Sequence, residues 1–156
     1  MTVTNAMRLL KQAGVEFETG EYEVDESDLS GVHAAEMLGV DPDCVFKTLV
    51  ARGDGRNLYV FCIPVAQELD LKKCASAVGE KKLEMVHVKE LLGLTGYVRG
   101  GCSPIGMKKK YPTLIDETAQ LFDRIYVSAG MRGHQIIVAP DALAKFVEAK
   151  YADLTK

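Results

Sequence analysis

Apolar positions recur with two different periods along the chain, and the switches between them lay out its elements. Ala6, Leu9, Leu10 and Ala13 fall at helical spacing, behind Thr4 as a cap and ahead of Gly14 as a stop. Residues 17–24 alternate weakly and predict a strand. Residues 25–30 are acidic and turn-prone, and Ser30 can cap a short helix over 32–38 that Gly39 ends. Two β-branched apolar runs, 45–51 and 58–65, flank Gly53-Asp54-Gly55, whose glycines supply the positive backbone angles of a tight reversal, so the pair reads as a hairpin. Asp70 can cap a helix over 71–78, residues 83–86 read as a strand, and 88–92 as a short helical turn. Further on come a strand at 113–115, a helical turn at 116–122, a strand at 124–128, a reversal at 130–133 and a strand at 135–139. Pro140-Asp141 then opens an amphipathic helix carrying Leu143, Phe146 and Val147. Strands and helices alternate irregularly around a hairpin, which excludes a pure βαβ series and fits a mixed sheet flanked by helices.

One segment stands outside this periodicity. Residues 93–106 (GLTGYVRGGCSPIG) hold five glycines and one proline between two patterned regions, and such a loop is better explained as a site than as a linker.

Composition narrows the function classes. The 156 residues suit one domain over 1–156 with one core, and 47% hydrophobic with 26% charged residues is the balance of a soluble globular chain. With 19 basic and 22 acidic residues the net charge is −3. No global positive field exists to hold nucleic acid, so DNA is not expected and any RNA contact must be local. The longest apolar run, 58–66, is nine residues with a proline, far short of the ~20 that span a bilayer. No membrane association is expected, and the opening MTVTNAMRLL lacks the apolar stretch of a secretory signal, so a cytoplasmic location is expected. Cys44, Cys62, Cys74 and Cys102 form no CxxC pair, and His33, His87 and His134 lie far apart. Neither a metal nor any other cofactor is expected, and the cysteines read as reduced structural residues.

The candidate chemistry is sparse. Neither glycine-rich stretch matches GxGxxG after a strand or the GxxxxGK[ST] cradle, and Ser103 sits in GCSPIG rather than GxSxG, where a serine before proline is ordinarily a turn residue. Lys47 is more informative. In an extended 45–50, alternation puts it on the face of Val45 and Leu49, where an ammonium is costly unless it meets an anion or a wet cavity; a strand-end lysine snorkelling to water is the alternative. Lys72-Lys73, Lys81-Lys82 and Lys108-Lys109-Lys110 are basic clusters in an acidic chain, candidate phosphate contacts or simply solvated lysines. Cys102, beside Gly100-Gly101, has no evident partner to lower its pKa and reads as a packed cysteine.

VFKTL (45–49), PVAQELDLKK (64–73), GYVRGGCSPIGMKK (96–109) and VSAGMRG (127–133) occur in this order and cover nearly the whole chain. Together they resemble the YbaK family of Cys-tRNA(Pro) deacylases, relatives of the editing domain inserted in bacterial prolyl-tRNA synthetases. The resemblance implies an α+β, three-layer domain with a mixed, largely antiparallel sheet flanked by helices. It also implies trans-editing of mischarged tRNA at the acceptor end, with prolyl-tRNA synthetase as a candidate partner. Lys47 matches the residue most tied to activity, the Gly100-Gly101 backbone faces the aminoacyl group, and Tyr22, Thr48 and Ser103 match pocket positions. Cys102 stands where relatives carry an apolar residue, and Gln135 where some carry an acid able to contact the substrate's ammonium. Both belong to the expected substrate pocket. The mechanism implied is attack by the substrate's own thiol on its ester carbonyl. Two rivals stay open: a relative that clears another amino acid, such as alanine, through activated water, and a noncatalytic module that grips tRNA ends or a synthetase.

Overall fold

The computed structural model describes residues 2–156. Helix α1 (Asn5–Gln12) begins where the Thr4 hydroxyl accepts the Met7 N–H at 3.3 Å and buries Ala6, Met7 and Leu10. Strand β1 (Glu18–Glu21) is shorter than the 17–24 expected, although the Tyr22 N–H still donates to the Gly133 carbonyl. Ser30 caps α2 (Gly31–Leu38) through the His33 N–H at 3.2 Å, and Gly39 ends it in the left-handed region at φ 70°. The hairpin is β2 (Phe46–Gly53) and β3 (Leu58–Pro64), paired from Phe46–Pro64 to Arg52–Leu58 across a turn with Gly55 at φ 75°. The Asp70 carboxylate caps α3 (Leu71–Val78) by accepting the Lys72 and Lys73 N–H groups. Edge strand β4 (Leu83–Met85) follows, and α4 (Val88–Thr95) runs through Gly93 beyond the expected 88–92.

After the glycine-rich loop come β5 (Thr113–Asp116), a 3₁₀ turn at Glu117–Leu121, β6 (Ile125–Ser128), β7 (His134–Val138), α5 (Pro140–Val147) and β8 (Lys150–Ala152). The pattern gave no warning of β8. It is held from outside its own residues: the buried Asp116 carboxylate accepts the Leu154 N–H at 3.0 Å and both the N–H and hydroxyl of Thr118, while the Asp70 N–H donates to the Leu154 carbonyl.

The mixed sheet takes the form of two sheets. One has the order β4-β2-β3-β5-β8, antiparallel on the β4 side and parallel from β3 onward; the other is antiparallel β1-β7-β6. One backbone bridge, Val45 beside Tyr126, joins their edges. Near it, Thr48 and Ser128, each paired within its own sheet, line a cleft. The larger sheet is buried on both faces. Phe61, Ile63 and Leu114 pack with Cys74 and Ala75 of α3, while Phe46, Cys62 and Ile115 pack with Leu10, Leu143 and the smaller sheet's Val127 and Ile136. Among the described residues no helix is long and apolar enough to cross a membrane.

Candidate functional site

The cleft beside the inter-sheet bridge has a volume of about 380 Å³, within the range of small-ligand pockets. Strand β2 and the residue ahead of it supply one wall with Val45 through Val50, α2 and the preceding loop supply Leu29, Ser30, Gly31 and Ala34, and the smaller sheet supplies Ser128 and Gln135. The start of α2 can sit this close because residue 31 lacks a side chain: a Cβ there would stand 2.2 Å from a Val65 methyl.

Lys47, the second residue of β2, lines this cleft, half-buried, opposite Ile63 in register and on the same side of the strand as Leu49. Removal from water lowers its pKa below the ordinary lysine value, and the field of Glu68 opposes that shift only in part. Among the described residues no carboxylate lies within ion-pair distance of its ammonium. The cation thus lines the cleft, partly desolvated and without an ion-pair partner among the described residues.

The opposite rim is the glycine loop. Gly100, at φ 84°, and Cys102 line the cleft, whereas Gly101 and Ser103 lie behind them. The Gly101 N–H is already taken by the Val98 carbonyl at 3.0 Å. Ser103 is fully buried, and its hydroxyl accepts the Ile105 N–H at 3.2 Å, the turn role its place before Pro104 suggests. The loop is further tied by the Tyr97 hydroxyl to the Ile105 carbonyl and by the Lys108 N–H to the Thr95 carbonyl. Burial pushes the Cys102 thiol up to about 11 and Cys62 up to about 12. Neither is a thiolate at neutral pH.

Tyr22, Thr48 and Gln135 complete the lining. Thr48 meets Cys62 at 3.8 Å, a weak contact. Gln135 is 6% exposed, and its side-chain oxygen has no hydrogen-bond partner among the described residues. A buried acceptor without a donor is costly in the empty protein and free for a ligand. Of the residues singled out from sequence, Tyr22, Lys47, Thr48, Gly100, Cys102 and Gln135 thus converge in one place, while the side chain of Ser103 does not reach it.

The basic clusters lie outside the cleft. Lys73 is engaged by Asp153 at 2.9 Å and the Thr155 carbonyl, Lys82 by Glu84 at 3.7 Å, and Lys110 by Glu148. Lys72, Lys81, Lys108 and Lys109 are exposed. Lys109 and Lys110 border a second, smaller cavity of about 210 Å³ with Leu9, Met107, Tyr111 and Phe146. Two ionisable cleft residues escaped the pattern: His87, at the start of α4, and Arg99, immediately ahead of Gly100. Arg99 had a signal, a cation abutting the glycine pair; His87 had none.

The sequence was compared with known proteins. Residues 29–146 match the profile of the aminoacyl-tRNA editing domain. A proposed Cys-tRNA(Pro)/Cys-tRNA(Cys) deacylase, EbsC of Enterococcus faecalis, is 49% identical over 97% of this chain and 93% of its own length. Proline–tRNA ligase of Shouchella clausii is 33% identical over 69% of this chain and 19% of its own. Among solved structures, a proposed trans-editing enzyme for prolyl-tRNA synthetase superposes with TM-score 0.84 over 99% of both chains at 24% identity, a likeness of fold.

Proposed function

The chain belongs to the aminoacyl-tRNA editing domain family, and from that premise we propose that it hydrolyses mischarged Cys-tRNA(Pro) in trans, by attack of the substrate's own thiol on its ester carbonyl. The observation that carries the reading is the unpaired Lys47 ammonium, held in a cleft whose far rim is a glycine loop. A stabilising fold has little use for a partly desolvated cation; a substrate bearing phosphate has.

In this account the aminoacyl group and terminal ribose enter the cleft. Lys47 holds the phosphate or ribose side of the terminal adenosine. The amides of Gly100 and Cys102 donate to the developing oxyanion, each worth ~2.7–4 kcal/mol if aimed at that oxygen. Gly101 contributes room for the Arg132 backbone rather than a donor, since its N–H is spent on Val98. The Gln135 side-chain oxygen accepts from the substrate's α-ammonium, and Tyr22 and Thr48 shape the wall. An aminoacyl ester is already activated, so orientation and carbonyl polarisation suffice. The substrate thiol attacks the carbonyl carbon, the bond to the ribose oxygen breaks, that oxygen takes the proton, and a cyclic thioester leaves to be opened by water. Cys102 takes no covalent part, because its thiol stays protonated.

Outside the cleft, Lys72, Lys81, Lys108 and Lys109 are the members of the three basic clusters that are exposed and free of ion pairs, and they meet acceptor-end phosphates. Prolyl-tRNA synthetase is the partner this chemistry suits, as the source of the mischarged tRNA, and the cytoplasm is where the two would meet. Deacylation of a panel of aminoacyl-tRNAs by wild type and Lys47→Ala tests the reading. Wild type should clear Cys-tRNA(Pro) fastest, and Lys47→Ala should lose most of that rate while staying folded. Preference for Ala-tRNA(Pro), or an unimpaired Lys47→Ala, would contradict it.

A further inference from the structure

The side chain of Arg132, in the turn between β6 and β7, does not line the cleft, yet it touches the loop that does. Its Nε donates to the Arg99 carbonyl at 2.8 Å, and a terminal nitrogen stands 3.4 Å from a Glu26 carboxylate oxygen on the acidic loop ahead of α2. The packing is close on both glycines. A Cβ on Gly100 would lie 3.4 Å from Arg132 Nε and 3.6 Å from Leu29 Cβ, and one on Gly101 would lie 3.1 Å from the Arg132 backbone nitrogen. The same turn holds the other side of the cleft, because the Gly133 carbonyl accepts the N–H of Tyr22.

The Arg99 carbonyl and the Gly100 N–H belong to one planar peptide unit and point in opposite directions. Fixing the carbonyl toward Arg132 therefore fixes the N–H away from it, at a residue that lines the cleft. A cationic donor on the carbonyl also polarises that amide and strengthens its N–H as a donor. Resting on the deacylase reading above, we infer that Arg132 is a positioning residue: it aims and strengthens the Gly100 amide that receives the oxyanion. The exposed ion pair with Glu26 adds orientation and little else. A lysine reaches the carbonyl as a point charge but lacks the planar fork that spans both partners.

The test compares Arg132→Ala, Arg132→Lys and Glu26→Gln in the full chain, with single-turnover deacylation of Cys-tRNA(Pro), KM, melting temperature and the ¹⁵N–¹H resonance of Gly100 as readouts. Arg132→Ala should lower kcat ~10- to 100-fold, the range seen when a reacting geometry slips slightly. KM should stay within about threefold, because the residue acts through an amide used mainly as charge develops. Arg132→Lys should recover part of the loss, Glu26→Gln should stay within about twofold of wild type, and the Gly100 amide resonance should shift in Arg132→Ala. Wild-type kcat in Arg132→Ala, or a loss matched by falling melting temperature and rising KM, would overturn the inference. So would an unmoved Gly100 resonance, and that measurement decides the link even if wild type proves unable to deacylate Cys-tRNA(Pro), a failure that would instead strike the deacylase reading.

Discussion

Lys47 is held where its charged form is poorly solvated, and this separates a functional lysine from a structural one. Burial lowers its pKa from the ordinary 10.5, so the folded protein binds this proton less tightly than the unfolded chain. The penalty is full below the lowered folded value and fades as pH rises through 10.5, above which both states are neutral; stability contributed by this group accordingly rises with pH across that window. Replacing the ammonium by an apolar side chain of similar length should relieve the penalty. Lys47→Met is expected to melt at or above the wild-type temperature at pH 7, with the difference shrinking toward pH 10.5, while deacylation is lost. A melting temperature several degrees lower at pH 7 would mean that the ammonium supports the fold. At this scale the sequence was informative about Lys47 because alternation alone sets it on an apolar face. It was informative about Ser103 too, since a serine before proline points to the turn its hydroxyl holds, and only the family resemblance set it in the pocket.

Elements that satisfy their own ends were legible; those completed by distant residues were not. Helix α3 carries its cap in Asp70 and its stop in Gly79, and the β2–β3 hairpin carries its turn, so both lie where the pattern sets them. Strand β8 is three residues, Lys150–Ala152, pairs in parallel with β5 and depends on Asp116, more than thirty positions away in sequence. No local window contains that information. The division into two sheets was hidden for the same reason, since one bridge between Val45 and Tyr126 decides it. Asp116→Ala tests how much the C-terminal closure depends on this carboxylate. The Leu154 N–H and the Thr118 donors lose their acceptor at a site 1% exposed, and a buried unsatisfied donor costs ~1–3 kcal/mol. Urea denaturation should show a loss of that size, with kcat near wild type at a temperature where the variant is folded. An unchanged midpoint would mean that β8 is held by Leu154 burial alone.

At the scale of the whole molecule, the net charge of −3 gives no general attraction for tRNA, so selection must reside in the cleft and in the chemistry it permits. Cysteine and serine esters on one tRNA body differ in a single side-chain atom, and a pocket that reads size alone separates such pairs by only a few kcal/mol. A thiol near pKa 8.5 offers far more nucleophilic anion at neutral pH than a hydroxyl. Attack within one bound molecule, well aligned, reaches effective molarities of ~10⁵–10⁸ M. The most direct measurement is therefore single-turnover deacylation of Cys-tRNA(Pro) and Ser-tRNA(Pro) together with equilibrium binding of both. Substrate-assisted attack predicts similar affinities and a far higher rate constant for cysteine; equal rate constants would contradict it and identify an esterase that activates water.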